Sequence, residues 1–390
     1  MASTFALGPR DPREEHRTAS PLELFTDLCY VVAIAQAASQ LHHAIVENHV
    51  VAGVGYFGIA FFAIWLAWLN FAWFNSAYDA DDVIHRILTL LQVFGSLVLA
   101  AGVPRIFEGD FMLAIAGYVI MRIGLVLMWI RAAQGHPERR ATAIRYAVGL
   151  TGVQAAWVAS AVVTRGDIPL ALFIALAVID LAVPVVAEAA GSTPWHPHHI
   201  AERYGLMFII VLGEAVLAST FALQDAFDAE HPPASLWLVV VGGVLIIFCA
   251  WWLYFAREAS DVIHHDRSGF VWGFGHYLVY AAVAALGAGL AVRVDFHTHQ
   301  AHVGPWVSSL AVTAPAALFI LALWFTQVRP HDGSVRIAAL FGGAAVLVLV
   351  LTWLPAAEPW VGLIFVLLLI TEASRRQRIA YANSGVGPGA

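Results

Sequence analysis

Apolar runs of about 20 residues recur along the whole chain, separated by short segments that hold nearly all of its charge. A run of that length, wound as a helix, spans a hydrocarbon core about 30 Å thick. Twelve such runs are readable, near 21–41, 50–74, 87–104, 110–130, 144–163, 168–188, 202–222, 235–256, 271–292, 304–327, 335–354 and 358–374. The last is short. Composition agrees, since 60% of the 390 residues are apolar and 12% are charged, against about 25% charged in a soluble domain. The expected fold is an all-α polytopic membrane protein of about twelve transmembrane helices, with the lipid bilayer as its first partner.

Orientation is read from arginine, because the chain contains no lysine. With the N-terminus cytoplasmic, sixteen arginines lie on the inner side, three (Arg105, Arg165 and Arg293) on the outer side, and Arg122 within a span. The positive-inside rule then places both termini in the cytoplasm of a bacterial inner-membrane protein. Three arginines precede the first apolar run, as in a signal peptide, but Glu23 and Asp27 break that pattern, so the first span is expected to be retained. Residues 1–19 read as a cytoplasmic arm and 379–390 as a flexible tail, both solvated. Cys29 and Cys249 lie inside spans, which predicts free thiols. The net charge of −7 forms no basic stripe, so no nucleic-acid partner is expected. A homo-oligomer is not indicated.

Sliding the chain by 179 residues aligns Glu23 with Glu202, Trp73 with Trp252, and Asp82-Val83-Ile84-His85 with Asp261-Val262-Ile263-His264. The alignment predicts two parallel six-helix halves, 20–195 and 196–378. Such duplication is known in secondary transporters, whose sites lie near the midplane between the halves.

Three ionisable residues fall at depth. Arg122, Asp180 and Glu214 are each twelve residues from the start of a span, roughly 18 Å along a helix. Isolated charges there cost about 2.5–3.5 kcal/mol each on insertion scales, so they are expected to face the interior, with Arg122 compensating Glu214, Asp180 or both. A buried ion pair that only fixes helix packing accounts for them as well. Arg203 and Glu214, eleven residues apart, share one helix face.

The stretch SPLELFTDL (20–28) sets Glu23 and Asp27 one turn apart at the mouth of the first span. Ser20, Pro21 and Glu23 form a capping box, which explains Glu23. Capping does not explain Asp27, which needs a partner such as Arg86, Arg203 or His276. His85 and His264, with Asp82 and Asp261, are expected to line the cytoplasmic mouth, and His276 is a candidate proton-titrating or packing residue. WHPHH (195–199) with Glu202 offers metal donors, but its proline disfavours helical ligand spacing, and no HExxH or CxxC occurs. Neither a metal nor another cofactor is expected. Trp65 and Trp68 are expected inside, and tryptophans near span ends at the interface.

SPLELFTDLCYVVAIAQ (20–36), GYVIMRIGLVLMWIRAA (117–133), IAERYGLMFIIVLGEAVLA (200–218) and GFGHYLVYAAVAALGAGL (273–290) together resemble the bacterial low temperature requirement protein A (LtrA) family. The resemblance implies a multipass membrane protein tied to growth in the cold. It points to Glu23, Asp27, Arg122, Glu202, Arg203, Glu214 and His276; Thr26 and Cys29 depart from its pattern without touching a charge. It supplies no reaction. Phe25-Thr26-Asp27 is also loosely similar to the F-S-D element of the lysosomal potassium channel family. Three functions stay open: a transporter or ion-conducting protein, a membrane sensor or scaffold, and an intramembrane lipid-modifying enzyme. Against the last, no nucleophile constellation, aspartate-rich diphosphate motif or phosphate-cradling loop is present.

Overall fold

The computed structural model describes residues 5–11, 14, 17–228, 234–263 and 266–384. It is helical, with no strand among the described residues. The helices are α1 (Pro21–Val46), α2 (Val50–Tyr78), α3 (Val83–Phe107), α4 (Met112–Gly135), α5 (Arg140–Thr164), α6 (Leu170–Glu188), α7 (Pro197–Asp228), α8 (Ala234–Tyr254), α9 (Asp266–His297), α10 (Pro305–Leu323), α11 (Val335–Val350) and α12 (Glu358–Ser384). They fall where the apolar runs do. The first eleven have the length and composition of a membrane span. In α12 only thirteen residues separate Glu358 from Glu372, roughly 20 Å of helix, and it is not among them.

The amphipathicity is inverted relative to a soluble protein. On α1, Glu23, Asp27, Tyr30 and Ile34 are buried, whereas Leu24, Leu28 and Val32, on the opposite face, are exposed, Leu28 by 60%. Phe94, Val148, Val178 and Phe248 are likewise exposed on other helices. Apolar area of that extent is stable only against lipid. The chain is a multi-pass membrane protein, with its charge inside and its hydrocarbon outside.

Two compact units are present: Met1–Gln40, Val51–Ile210 and Ile263–Phe270 in the first, and Leu41–Val50, Val211–Val262 and Val271–Ala390 in the second. In the first, α3 packs on α4, α4 on α5 and α5 on α6. In the second, α8 packs on α12 and α10 on α11. Trp65 and Trp68 are buried, as expected, and Trp251 and Trp252 are exposed.

The described part of the N-terminal arm is folded onto the first unit rather than solvated. The Leu7 amide donates to Arg131 O (3.1 Å) and the Arg10 amide to Ala77 O (3.0 Å). Buried Arg17 donates to Asn75 O at 2.5 Å and to Ser76 O. Asn75, Ser76 and Ala77 lie in the last turn of α2, whose carbonyls have no partner within the helix. The arm supplies the missing donors, which length and composition do not reveal. Burial pushes the Arg17 guanidinium down to about 10, so it stays charged at neutral pH and favours the negative end of the α2 dipole.

Contact between α3 and α4 is set by glycine. Gly95 and Gly102 on α3, and Gly117 and Gly124 on α4, are two pairs seven residues apart. A Cβ on Gly117 would lie 2.6 Å from Leu99 N, and one on Gly102 would lie 2.7 Å from Ala114 N. The backbones touch, as small residues allow in membrane helices. Gly117→Val is therefore expected to destabilise by about 1–3 kcal/mol, whereas Gly152→Ala, which meets nothing within 4 Å, should match wild type. Thermal unfolding of the detergent-purified variants measures the difference.

Candidate functional site

The first turn of α1 forms the predicted capping box. The Ser20 amide donates to Glu23 Oε2 (2.8 Å) and the Glu23 amide to Ser20 Oγ (3.3 Å). Capping is only part of what Glu23 does. Arg203 Nη1 lies 2.6 Å from Glu23 Oε1, and His199 Nε2 lies 3.3 Å from Glu23 Oε2. His199 and Arg203, four residues apart, share one face of α7. Asp27, one turn deeper on α1, meets the other guanidinium arm: Arg203 Nη2 donates to Asp27 Oδ1 at 2.5 Å, and Trp68 Nε1 donates to the same oxygen at 2.8 Å. Arg203 is thus the partner Asp27 needs; Arg86 pairs instead with exposed Asp81.

Water is excluded from this cluster. Asp27, His199 and Arg203 have no exposed surface. Aromatic rings wall it in. Arg203 Cζ lies 5.7 Å from the Phe71 ring centre, and Trp68 packs edge-on to Tyr204 at 4.9 Å. The Tyr204 hydroxyl accepts from Trp73 Nε1 at 3.0 Å. Within ion-pair distance, two carboxylates share one guanidinium. The His199 ring stands beside one of the two carboxylates and no second guanidinium pairs with either among the described residues. Asp27 Oδ2, buried, has no hydrogen-bond partner.

A second ion pair lies deeper in the same unit. Arg122 Nη2 donates to Asp180 Oδ1 (2.7 Å), Trp157 Nε1 donates to Asp180 Oδ2 (3.4 Å), and Arg122 Cζ lies 5.3 Å from the Tyr118 ring centre. Asp180 is therefore the partner found for Arg122. A cavity of about 50 Å³ adjoins the pair, lined by Tyr118, Gln154, Trp157, Phe173 and Asp180. Both amide atoms of Gln154 are buried without a partner.

The other expected residues stand apart from these pairs. Glu214, in the second unit, and Glu202, in the first, are half-buried and make no ion pair among the described residues. In the second unit, His276 Nδ1 donates to Trp272 O (2.8 Å) and Nε2 lies 3.1 Å from the Tyr254 hydroxyl, within a cage of Trp272, Tyr254 and Tyr280. Asp82 caps α3 through the His85 amide (2.7 Å) and binds buried Arg131 at 2.5 Å, while His85 lies 3.6 Å from Asp79. The Asp261 side chain and His264 lie outside the described residues. In WHPHH, His196 and His199 serve the arm and Glu23: the His196 ring meets Glu14 O at 2.8 Å.

Sequence reasoning missed three partners. In the sequence Trp68 stands out only as an interior tryptophan and His199 only as one of the WHPHH donors. The third is a buried pair in the second unit, where Arg293 meets Glu358 and donates to Ser308 Oγ (3.0 Å). Arg293 sits at the end of a span and Glu358 opens α12, so each passes for a loop charge in one dimension. The four-residue spacing of His199 and Arg203, matching that of Glu23 and Asp27, is the signal that could have joined the first group.

Comparison with known proteins bears on the whole of this region. The family profile described as "Bacterial low temperature requirement A protein (LtrA)" matches residues 18–373, including every member of both ion-pair groups in the first unit. The chain is also similar to a protein of Rhizobium meliloti (strain 1021) described as uncharacterized, at 24% identity over 348 residues, covering 84% of this chain and 82% of that one.

Removing the lone guanidinium strands two buried carboxylates, so Arg203→Gln is expected to cost at least about 3 kcal/mol. Asp27→Asn leaves a one-to-one pair and is expected to be milder. The triple variant Glu23→Gln/Asp27→Asn/Arg203→Gln should unfold at higher temperature than Arg203→Gln alone. For the deeper pair, a cycle of Arg122→Ala and Asp180→Asn should show coupling of at least about 1 kcal/mol. Additive melting shifts would break either pairing.

Proposed function

The chain belongs to the bacterial low temperature requirement A family, and from that premise we propose that it is a secondary transporter or ion-conducting protein of the bacterial inner membrane whose working element is the Glu23–Asp27–Arg203 group. The observation that carries this reading is the charge count: two water-excluded carboxylates share one guanidinium, and one carboxylate oxygen of Asp27 has no partner. Such a group has two settings. With Asp27 ionised, Arg203 is divided between the two carboxylates; with Asp27 protonated, Arg203 belongs to Glu23 alone. Proton loading is thereby coupled to a shift of the α7 guanidinium between two turns of α1, the kind of change that alternating access requires. Intramembrane ionisable groups of this kind mark proton relays and ion paths.

The 179-residue duplication into halves 20–195 and 196–378, and the cytoplasmic placement of both termini from arginine distribution, belong to the same proposal. Arg122 and Asp180, mutually neutral, are assigned to holding α4 and α6 in place. The sensor or scaffold reading draws on the same mutual satisfaction, since a pair that only locks helices is complete without any solute.

The test is flux in proteoliposomes. Wild type and Asp27→Asn, both verified as folded, are compared for proton, monovalent-ion and small-solute movement under an imposed pH gradient or potential. A flux present in wild type and reduced at least about tenfold in Asp27→Asn is expected, as for loss of an essential proton carrier. Equal flux would remove Asp27 from the path, and silence from both across a broad solute panel would favour the scaffold.

A further inference from the structure

A groove of about 720 Å³ runs along the first unit between α4 and α5. Val126 and Ile130 of α4 face Ile144, Val148 and Gly152 of α5 across it, and Arg140 and Gln134 stand at one end. Ile130, Ile144 and Val148 are exposed, and a Cβ on Gly152 would meet nothing within 4 Å. Arg140 and Gly152 are twelve residues apart, about 18 Å along α5. That is close to the thickness of one leaflet, roughly half of a 30 Å core. The groove therefore begins at the membrane edge and ends near the midplane, the dimensions of an acyl chain rather than of a soluble metabolite.

The end at the membrane edge is cationic. Arg139, Arg140 and Arg145 lie within seven residues, and none makes an ion pair among the described residues. Each spends an N–H on a carbonyl: Arg139 Nε on Ser192 O (2.7 Å), Arg140 Nε on Ala133 O (3.0 Å) and Arg145 Nη1 on Val186 O (3.2 Å). These bonds set the side chains against backbone carbonyls, with no carboxylate ion-paired to them among the described residues. Of the nearby carboxylates, Glu138 is exposed and unpaired, and Glu188 is engaged by the Tyr146 hydroxyl and by Thr193. No side chain caps the start of α5, so the positive end of its dipole adds to the same field. Arg203, Arg122, Arg131 and Arg293 are each matched to a carboxylate; Arg140, with no such match among the described residues, lines the groove itself, and Arg139 and Arg145 flank it in the chain.

We propose that the α4–α5 groove binds an anionic phospholipid, its phosphate held by Arg139, Arg140 and Arg145 and one acyl chain lying along Ile144, Val148 and Gly152. Basic pockets between transmembrane helices hold anionic headgroups in this way, each arginine adding to the preference over a zwitterionic lipid. The site is independent of the Glu23–Asp27–Arg203 group and of any transport activity.

The experiment is native mass spectrometry of the full chain released from nanodiscs of equal phosphatidylglycerol and phosphatidylcholine. Wild type is expected to retain phosphatidylglycerol over phosphatidylcholine by about tenfold, in line with several basic contacts. The variant Arg139→Gln/Arg140→Gln/Arg145→Gln should lose that preference. Gly152→Leu, which fills the groove and leaves the arginines untouched, should lose the retained lipid while melting as wild type does. Equal retention of the two lipids by wild type, or an unchanged preference in the arginine variant or in Gly152→Leu, would overturn the proposal. So would displacement of the lipid by free glycerol 3-phosphate, which would mark a phosphate site with no role for the groove.

Discussion

Arg203 is the constraint on which the first unit turns. A guanidinium with no exposed surface cannot be held in a membrane protein's interior without counter-charge, and both of its neighbours come from one helix, Glu23 and Asp27 of α1. Because the two acids are one turn apart, the two arms of one guanidinium reach both. The geometry fixes α1 against α7 in rotation and in height together. Trp68, Phe71 and Tyr204 then fill the space around the ion group and keep water from it. Ion pairing in a low dielectric and aromatic packing are here one device, since either without the other would leave a charge stranded or a void.

The same logic, charge inside and hydrocarbon outside, orders the rest of the protein. Arg122 is matched by Asp180, Arg131 by Asp82, Arg293 by Glu358 and Arg257 by Glu372. Each pairing joins elements distant in sequence. Between α3 and α4, beyond the Arg131–Asp82 pair at one end, glycines bring the backbones into contact and dispersion takes over. The arm before α1 extends the principle to a helix end, donating to carbonyls of α2 that the helix cannot satisfy itself.

The fold class was legible because a bilayer imposes a one-dimensional rule. Every backbone polar group at depth must be bonded within its own segment, so apolar length alone announces a helix. Twelve runs became twelve helices, and the short final run corresponds to α12, which is not among the eleven with the length and composition of a span. Asp27 was legible for a related reason: a carboxylate past the cap and inside a span demands a cation.

Which cation answered that demand was not in the string. Arg86, Arg203 and His276 were equivalent candidates by composition, and only the packing of α7 against α1 selected Arg203. Nor did the string show His199 turned onto Glu23, Arg293 drawn inward to Glu358, or the α4–α5 arginines left without carboxylates. Local sequence determined the helices and the places where charge enters the membrane, because propensity and apolar length act over one segment at a time. The tertiary structure alone decided which charges meet, because an ion pair depends on rotation and height between helices, and those are fixed only when all the side chains pack together.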